Sequence, residues 1–148
     1  MIGGKIAVAI VGCGGMGGGH AVAISTGSGQ ALWMTDGSKG RELAPGDTDL
    51  KTKMVLAGTY DIKEERQQWA QAQGFHTYGS FEEILEDPQV DLVLVATPND
   101  SHKELATRAM RAGKHVLCEK PAMMNSKDLE DVLEVAKETG KAFYPRQN

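Results

Sequence analysis

Gly12-Cys13-Gly14-Gly15-Met16-Gly17 places glycines at GxGxxG spacing, directly after the apolar run Ile6 to Val11 and before a helical stretch carrying His20, Val22 and Ile24. Glycine lets the backbone turn sharply, lets a pyrophosphate approach the N–H groups, and keeps the following helix close to the preceding strand. The helix N-terminus then holds the phosphate charge. Gly12, Gly14, Gly15, Met16 and Gly17 are therefore candidate binding residues for the diphosphate of a dinucleotide. The competing reading is a flexible turn, because six of the eight residues from Gly12 to Gly19 are glycine.

Dinucleotide binding of this kind needs a carboxylate for the ribose, about 20 residues further on at the end of the second strand. Two residues qualify. Asp36 lies 19 residues past Gly17 and follows Leu32-Trp33-Met34-Thr35, whereas Asp61 lies 44 past it and follows the longer run Met54 to Tyr60. Asp61 is favoured because its strand is the stronger and Lys63 to Gln73 reads as the next helix, but Asp36 stays open. A carboxylate there accepts from a ribose 2′-OH and repels a 2′-phosphate, so NAD is expected over NADP.

Ligands of open α/β sheets sit outside the carboxyl ends of the strands. The fourth strand ends in Ala96-Thr97-Pro98-Asn99-Asp100-Ser101-His102 and the fifth in Leu117-Cys118-Glu119-Lys120-Pro121. Proline cannot continue a ladder, so both strands stop sharply there. Thr97 and Asn99 offer neutral donors and acceptors suited to a nicotinamide ribose or amide, and Lys120 offers an ammonium group.

The glycine loop, Thr97-Pro98-Asn99 with His102, and Glu119-Lys120-Pro121, in that order and at strand ends, resemble the Gfo/Idh/MocA family of glucose-fructose oxidoreductase and inositol dehydrogenase. The resemblance implies an NAD(P)-dependent oxidoreductase acting on a sugar, cyclitol or related polyol. It implies Lys120 as the catalytic lysine that meets the substrate hydroxyl and assists proton transfer, and Thr97, Pro98, Asn99, His102 and Glu119 as cofactor-side residues. Hydride leaving a carbinol carbon builds carbonyl character, so the hydroxyl proton needs a nearby base or relay, and an ammonium stabilises the developing alkoxide. His102 has two readings, one facing the cofactor and one capping the first turn of its helix. His20, His76 and His115 have no partner spacing. The resemblance also implies a homo-oligomer for the full-length protein and a second, substrate-binding domain beyond residues 1–148.

Elements that could position these residues alternate along the chain, as in a doubly wound parallel sheet, the Rossmann fold, in a single domain. Six strands are expected, near Lys5 to Val11, Lys53 to Tyr60, Phe75 to Tyr78, Val90 to Ala96, Lys114 to Cys118 and Lys141 to Tyr144. Ser80 with Glu83 and Ser101 with Glu104 have capping-box spacing, and Gly113 and Gly140 stand at helix C-termini. Leu129, Val132, Leu133 and Ala136 form an i, i+3, i+4, i+7 stripe expected to face the sheet. The glycine-punctuated stretch 28–52 reads as an inserted loop or hairpin.

Composition narrows the remaining classes. The 148 residues are 41% hydrophobic and 24% charged with a formal net charge of −4, the balance of a globular chain with no positive field to gather nucleic acid. The longest uninterrupted apolar run, Ile6 to Val11, has six residues against the roughly 20 needed to span a bilayer, so no membrane segment is expected. Cys13 and Cys118 are far apart with no CxxC or Cys/His cluster, which points to a reduced cytoplasmic setting and no metal. A non-catalytic NAD-binding sensor or scaffold module is the alternative to an enzyme.

Overall fold

The computed structural model describes residues 1–27 and 49–146. Among them the elements run β1 (Ile6–Val11), α1 (Gly15–Thr26), α2 (Leu50–Lys53), β2 (Met54–Tyr60), α3 (Glu64–Ala72), α4 (Phe81–Glu86), β3 (Leu92–Val95), α5 (His102–Arg111), β4 (His115–Cys118), α6 (Ser126–Thr139) and β5 (Phe143–Pro145). A single 3₁₀ turn, Asn99–Ser101, precedes α5. Asp36 and most of the expected insertion lie outside the described residues. The end of that insertion is the short helix α2, capped by Asp49, which feeds directly into β2.

All five strands are parallel, in the order β2-β1-β3-β4-β5. This is the expected doubly wound α/β sheet of the Rossmann fold. The third expected strand, Phe75 to Tyr78, survives only as one parallel bridge between Thr77 and Thr59 on the outer side of β2. The chain there is too short for more. It leaves α3 through Gly74 at φ 80° and must reach the Ser80 cap of α4 six residues later.

Both faces of the sheet are covered, which explains why the strands read as continuous apolar runs. Val8 and Ile10 of β1 pack with Ala21 and Ile24 of α1 and with Leu94 on one face. On the other, Ala9, Val11, Val93, Val95 and Val116 pack with Ala109 and Met110 of α5 and Val132 and Val135 of α6. Alternate residues of β1 thus serve opposite layers, as the pleat requires.

Local punctuation held in part. Ser80 Oγ accepts from Glu83 N–H (3.2 Å), and Gly113 and Gly140 take positive φ past their helices. Ser101 does not cap α5: it has helical φ and ψ, and its hydroxyl donates to the Pro98 carbonyl (2.7 Å) because the 3₁₀ turn has already drawn it into the helix. The α6 stripe is also rotated from its expected position. Val132 is buried but Leu129 and Leu133 are 37% and 50% exposed. Lys103 of α5 bonds Asp128 (2.7 Å) and Asp131 (2.6 Å), which turns Val132 and Val135 inward instead.

Candidate active site

The strand register decides which residues meet. Tyr60 pairs with Val11, Val11 with Val95, Val95 with Cys118 and Cys118 with Pro145. The residues just past that row are Asp61, Gly12, Ala96, Glu119 and Arg146, in spatial order along one edge of the sheet. A bulge in β2 between the partners of Val8 and Ala9 absorbs one extra residue and keeps Tyr60 in the row.

Gly12 sits at φ 91°, and a Cβ on it would lie 2.6 Å from the Ala96 carbonyl oxygen. A Cβ on Gly17 would fall inside the Gly12 carbonyl group. These two glycines hold the loop and α1 against β1 and β3. Gly14 and Gly15 differ, since a Cβ there would meet nothing within 4 Å. Gly14 lines a cavity of about 540 Å³ shared with Tyr60, Asp61, Arg66, Thr97 and Pro98. The space beside Gly14 is what a diphosphate needs for close approach to backbone amides, so the loop fits a dinucleotide. Met16 and Gly17 lie in the first turn of α1, which carries no acidic side chain to compete for the helix N-terminus.

Asp61 is stitched into that loop. Its Oδ2 accepts from Cys13 N–H (2.7 Å) and its Oδ1 from Lys63 N–H (2.9 Å), while Gly12 N–H donates to Tyr60 O (2.8 Å). Each carboxylate oxygen keeps further acceptor capacity. Lys63 and Arg66 stand in the same cavity wall.

Thr97 and Pro98 also line this cavity, whereas Asn99, in the 3₁₀ turn, does not. The Thr97 and Ser101 hydroxyls are hydrogen-bonded to each other (2.6 Å). His102 takes neither expected position. Its side chain is fully buried, with Nε2 2.8 Å from Thr97 O and Nδ1 3.0 Å from Pro121 O and 3.2 Å from Ala122 O. The ring ties the loop after β3 to the loop after β4 and presents no surface to a ligand.

Glu119 is 5% exposed, and its partners were invisible in the sequence. His20 Nε2, from the second turn of α1, is hydrogen-bonded to Oε1 (2.5 Å), and Arg146 Nη1 donates to the same oxygen (2.8 Å). Nη1 and Nε2 are themselves 2.6 Å apart. Burial pushes the Glu119 carboxyl up, but the His20 and Arg146 bonds outweigh it and hold the group below the usual carboxylate value. Its Oε2 is buried without a hydrogen-bond partner among the described residues. His20 is 99 residues away and Arg146 is 27, so no local spacing marks either one. Lys120 is exposed, is joined to Pro121 by a cis peptide bond, and lines a second cavity of about 350 Å³ with Met123, Asn125, Ser126, Leu129 and Arg146. The glycine loop and Lys120 therefore open onto separate cavities along the same sheet edge.

Both cysteines are free thiols buried in the fold. Burial raises the Cys13 thiol, and burial with the neighbouring Glu119 charge raises that of Cys118 to about 12. No three His, Cys, Asp or Glu side chains group as metal ligands among the described residues, and no helix there is long and apolar enough to cross a membrane.

Parallel strands in this order, a glycine loop opening α1 and a carboxylate latched to it define a dinucleotide-binding Rossmann fold. The chain belongs to the Gfo/Idh/MocA family: residues 6–146 match its model, described as an oxidoreductase family with an NAD-binding Rossmann fold. Over 61 residues it is 49% identical to 1,5-anhydro-D-fructose reductase of Ensifer adhaerens, a match covering 41% of this chain and 18% of that protein. Over 65 residues it is 42% identical to the NADP⁺-dependent scyllo-inositol 2-dehydrogenase of Bacillus subtilis, covering 44% of this chain and 20% of that one. The crystal structure of an NAD-binding protein from Listeria innocua superposes with a TM-score of 0.76 at 40% identity, over 97% of this chain and 36% of that chain. The matched segment thus spans about a fifth of the curated relatives.

Proposed function

We propose that this chain is the cofactor half of an enzyme that moves hydride between a sugar, cyclitol or related polyol hydroxyl carbon and a nicotinamide. The register row that sets Asp61, the glycine loop, Thr97 and Glu119-Lys120 along one sheet edge is the observation that carries this reading. Gly14, Gly15 and Met16 offer backbone amides to the diphosphate, and Asp61 accepts from the adenosine ribose. When bound, the nicotinamide accepts or returns the hydride. Thr97, Pro98 and Asn99 flank its ribose, and Lys120 holds the substrate oxygen and passes its proton onward.

The free lone pairs of Asp61 favour the 2′-hydroxyl of NAD over the 2′-phosphate of NADP. A relative's use of NADP does not transfer, because the choice is made by residues beside this ribose. Because the matched segment is about a fifth of the curated relatives, the hydride transfer is proposed for the whole enzyme and NAD binding for this chain. Titration calorimetry of NAD on the chain tests the binding half. In the complete enzyme, Lys120→Ala should lower turnover by about 10²- to 10⁴-fold with NAD affinity unchanged. Retained turnover removes Lys120 from the mechanism.

A further inference from the structure

The residues past the register row divide between the two halves of the sheet. Asp61 follows β2, on one side of the crossover between β1 and β3, and Glu119 and Arg146 follow β4 and β5 on the other. In a doubly wound sheet each half takes one mononucleotide. The adenosine half therefore lies over Asp61 and the nicotinamide half over the Glu119 side.

Three elements meet on the Glu119 carboxylate: α1 through His20, β4 through Glu119 itself, and the segment after β5 through Arg146. The backbone repeats the tie, since Glu119 N–H donates to Val95 O (2.9 Å) and Arg146 N–H to Cys118 O (2.8 Å). Lys120 is the next residue along, and Arg146 shares its cavity wall. Both side chains crowd onto Oε1.

Resting on the reading above, we propose that His20 and Arg146 are positioning residues that clamp Glu119 and so fix the strand end under the nicotinamide half of the cofactor. Neither touches the reacting atoms. Their loss lets the Glu119-Lys120 strand end relax while the glycine loop, anchored by Gly12, Gly17 and Asp61, stays in place.

Two probes separate the halves: NAD, which needs both, and ADP, which needs only the loop and Asp61. Each is titrated calorimetrically onto the wild-type chain and onto His20→Ala, Arg146→Ala and Arg146→Lys, with thermal unfolding recorded for every variant. The clamp predicts that either alanine variant loses about tenfold in NAD affinity, the effect of one charge-assisted hydrogen bond, and less than about twofold in ADP affinity. Arg146→Lys keeps the cation and should recover most of the NAD loss. NAD affinity unchanged in both alanine variants overturns the clamp, and so does a parallel loss of NAD and ADP. If an alanine variant fails to fold, Glu119→Gln, which keeps size and an acceptor but not the charge, decides by the same comparison. A wild-type chain that binds neither probe instead overturns the cofactor reading, and the clamp falls with it.

Discussion

Replacing Asp61 with alanine separates two duties of one carboxylate. The group has roughly four acceptor positions. Two are taken by the N–H groups of Cys13 and Lys63, one on each oxygen, which leaves about one per oxygen for ribose hydroxyls. A hydrogen bond to a charged group contributes about 1.5–3 kcal/mol. Loss of even one ribose bond should therefore weaken NAD about 10- to 100-fold. The lost Cys13 bond opens the first turn of the glycine loop as well. Water can solvate that partly buried amide, so the expected destabilisation is about 1–2 kcal/mol, or a few degrees in Tm.

Asp61→Asn distinguishes the two effects. Its side-chain carbonyl can still accept from Cys13 N–H, so Tm should recover most of the loss. NAD affinity should stay low, because one ribose acceptor has become a donor and the charge is gone. NADP, titrated in parallel, should bind Asp61→Ala no worse than it binds the wild type, since the repulsion on a 2′-phosphate is removed. Wild-type NAD affinity in Asp61→Ala would refute this account and move the ribose contact to Asp36.

The glycine loop supplies a contrast within four residues. Gly14→Ala projects a methyl into open space and should leave Tm within about a degree while weakening NAD at least tenfold; Gly17→Ala meets the Gly12 carbonyl and should cost about 1–3 kcal/mol of stability. Equal behaviour of the two variants in unfolding and calorimetry would show that the loop is pliable and the distinction empty. At the opposite edge of the sheet, burial pushes the Asp91 carboxyl up, but Ala7 N–H (2.8 Å) and the N-terminal ammonium (2.9 Å) outweigh it and hold its pKa below the usual value. Its folded pKa is the lower one, so its stabilisation is present at neutral pH and is lost as the pH falls below about 4. Asp91→Asn should be less stable than wild type by about 1 kcal/mol at pH 7, and the gap should narrow as the pH falls below about 4 in urea unfolding. A constant gap across that range would assign the effect to packing.

What could be read in the chain before its structure was whatever short-range physics encodes. Val8 to Val11 and Val93 to Val95 announce buried strands because both faces are apolar, and the loop at Gly12 announces itself because only glycine tolerates that φ beside Ala96. Phe75 to Tyr78 looked equally strand-like, yet only Thr77 pairs, since ladder length depends on how far the flanking turns let the chain travel. His102, read as either facing the cofactor or capping its helix, is buried instead by the loop after β4, which arrives nearly 20 residues later. His20 and Arg146 carry no local signal at all.

Their meeting at Glu119 follows from register alone. Cys118 pairs with both Val95 and Pro145, which sends Glu119 inward toward α1 and sets Arg146 beside it. Side chains alternate faces along a strand, so a slip of one residue in β4 would turn the Glu119 carboxylate away from His20 and put Lys120 in the interior. A lysine buried there without a carboxylate partner would be costly, and an unpaired glutamate on the outer face would bring nothing to offset it. The ion cluster therefore does for register at the carboxyl edge what the apolar pattern does along the strand: it makes the neighbouring pairings unfavourable and leaves one in which Lys120 faces the cavity.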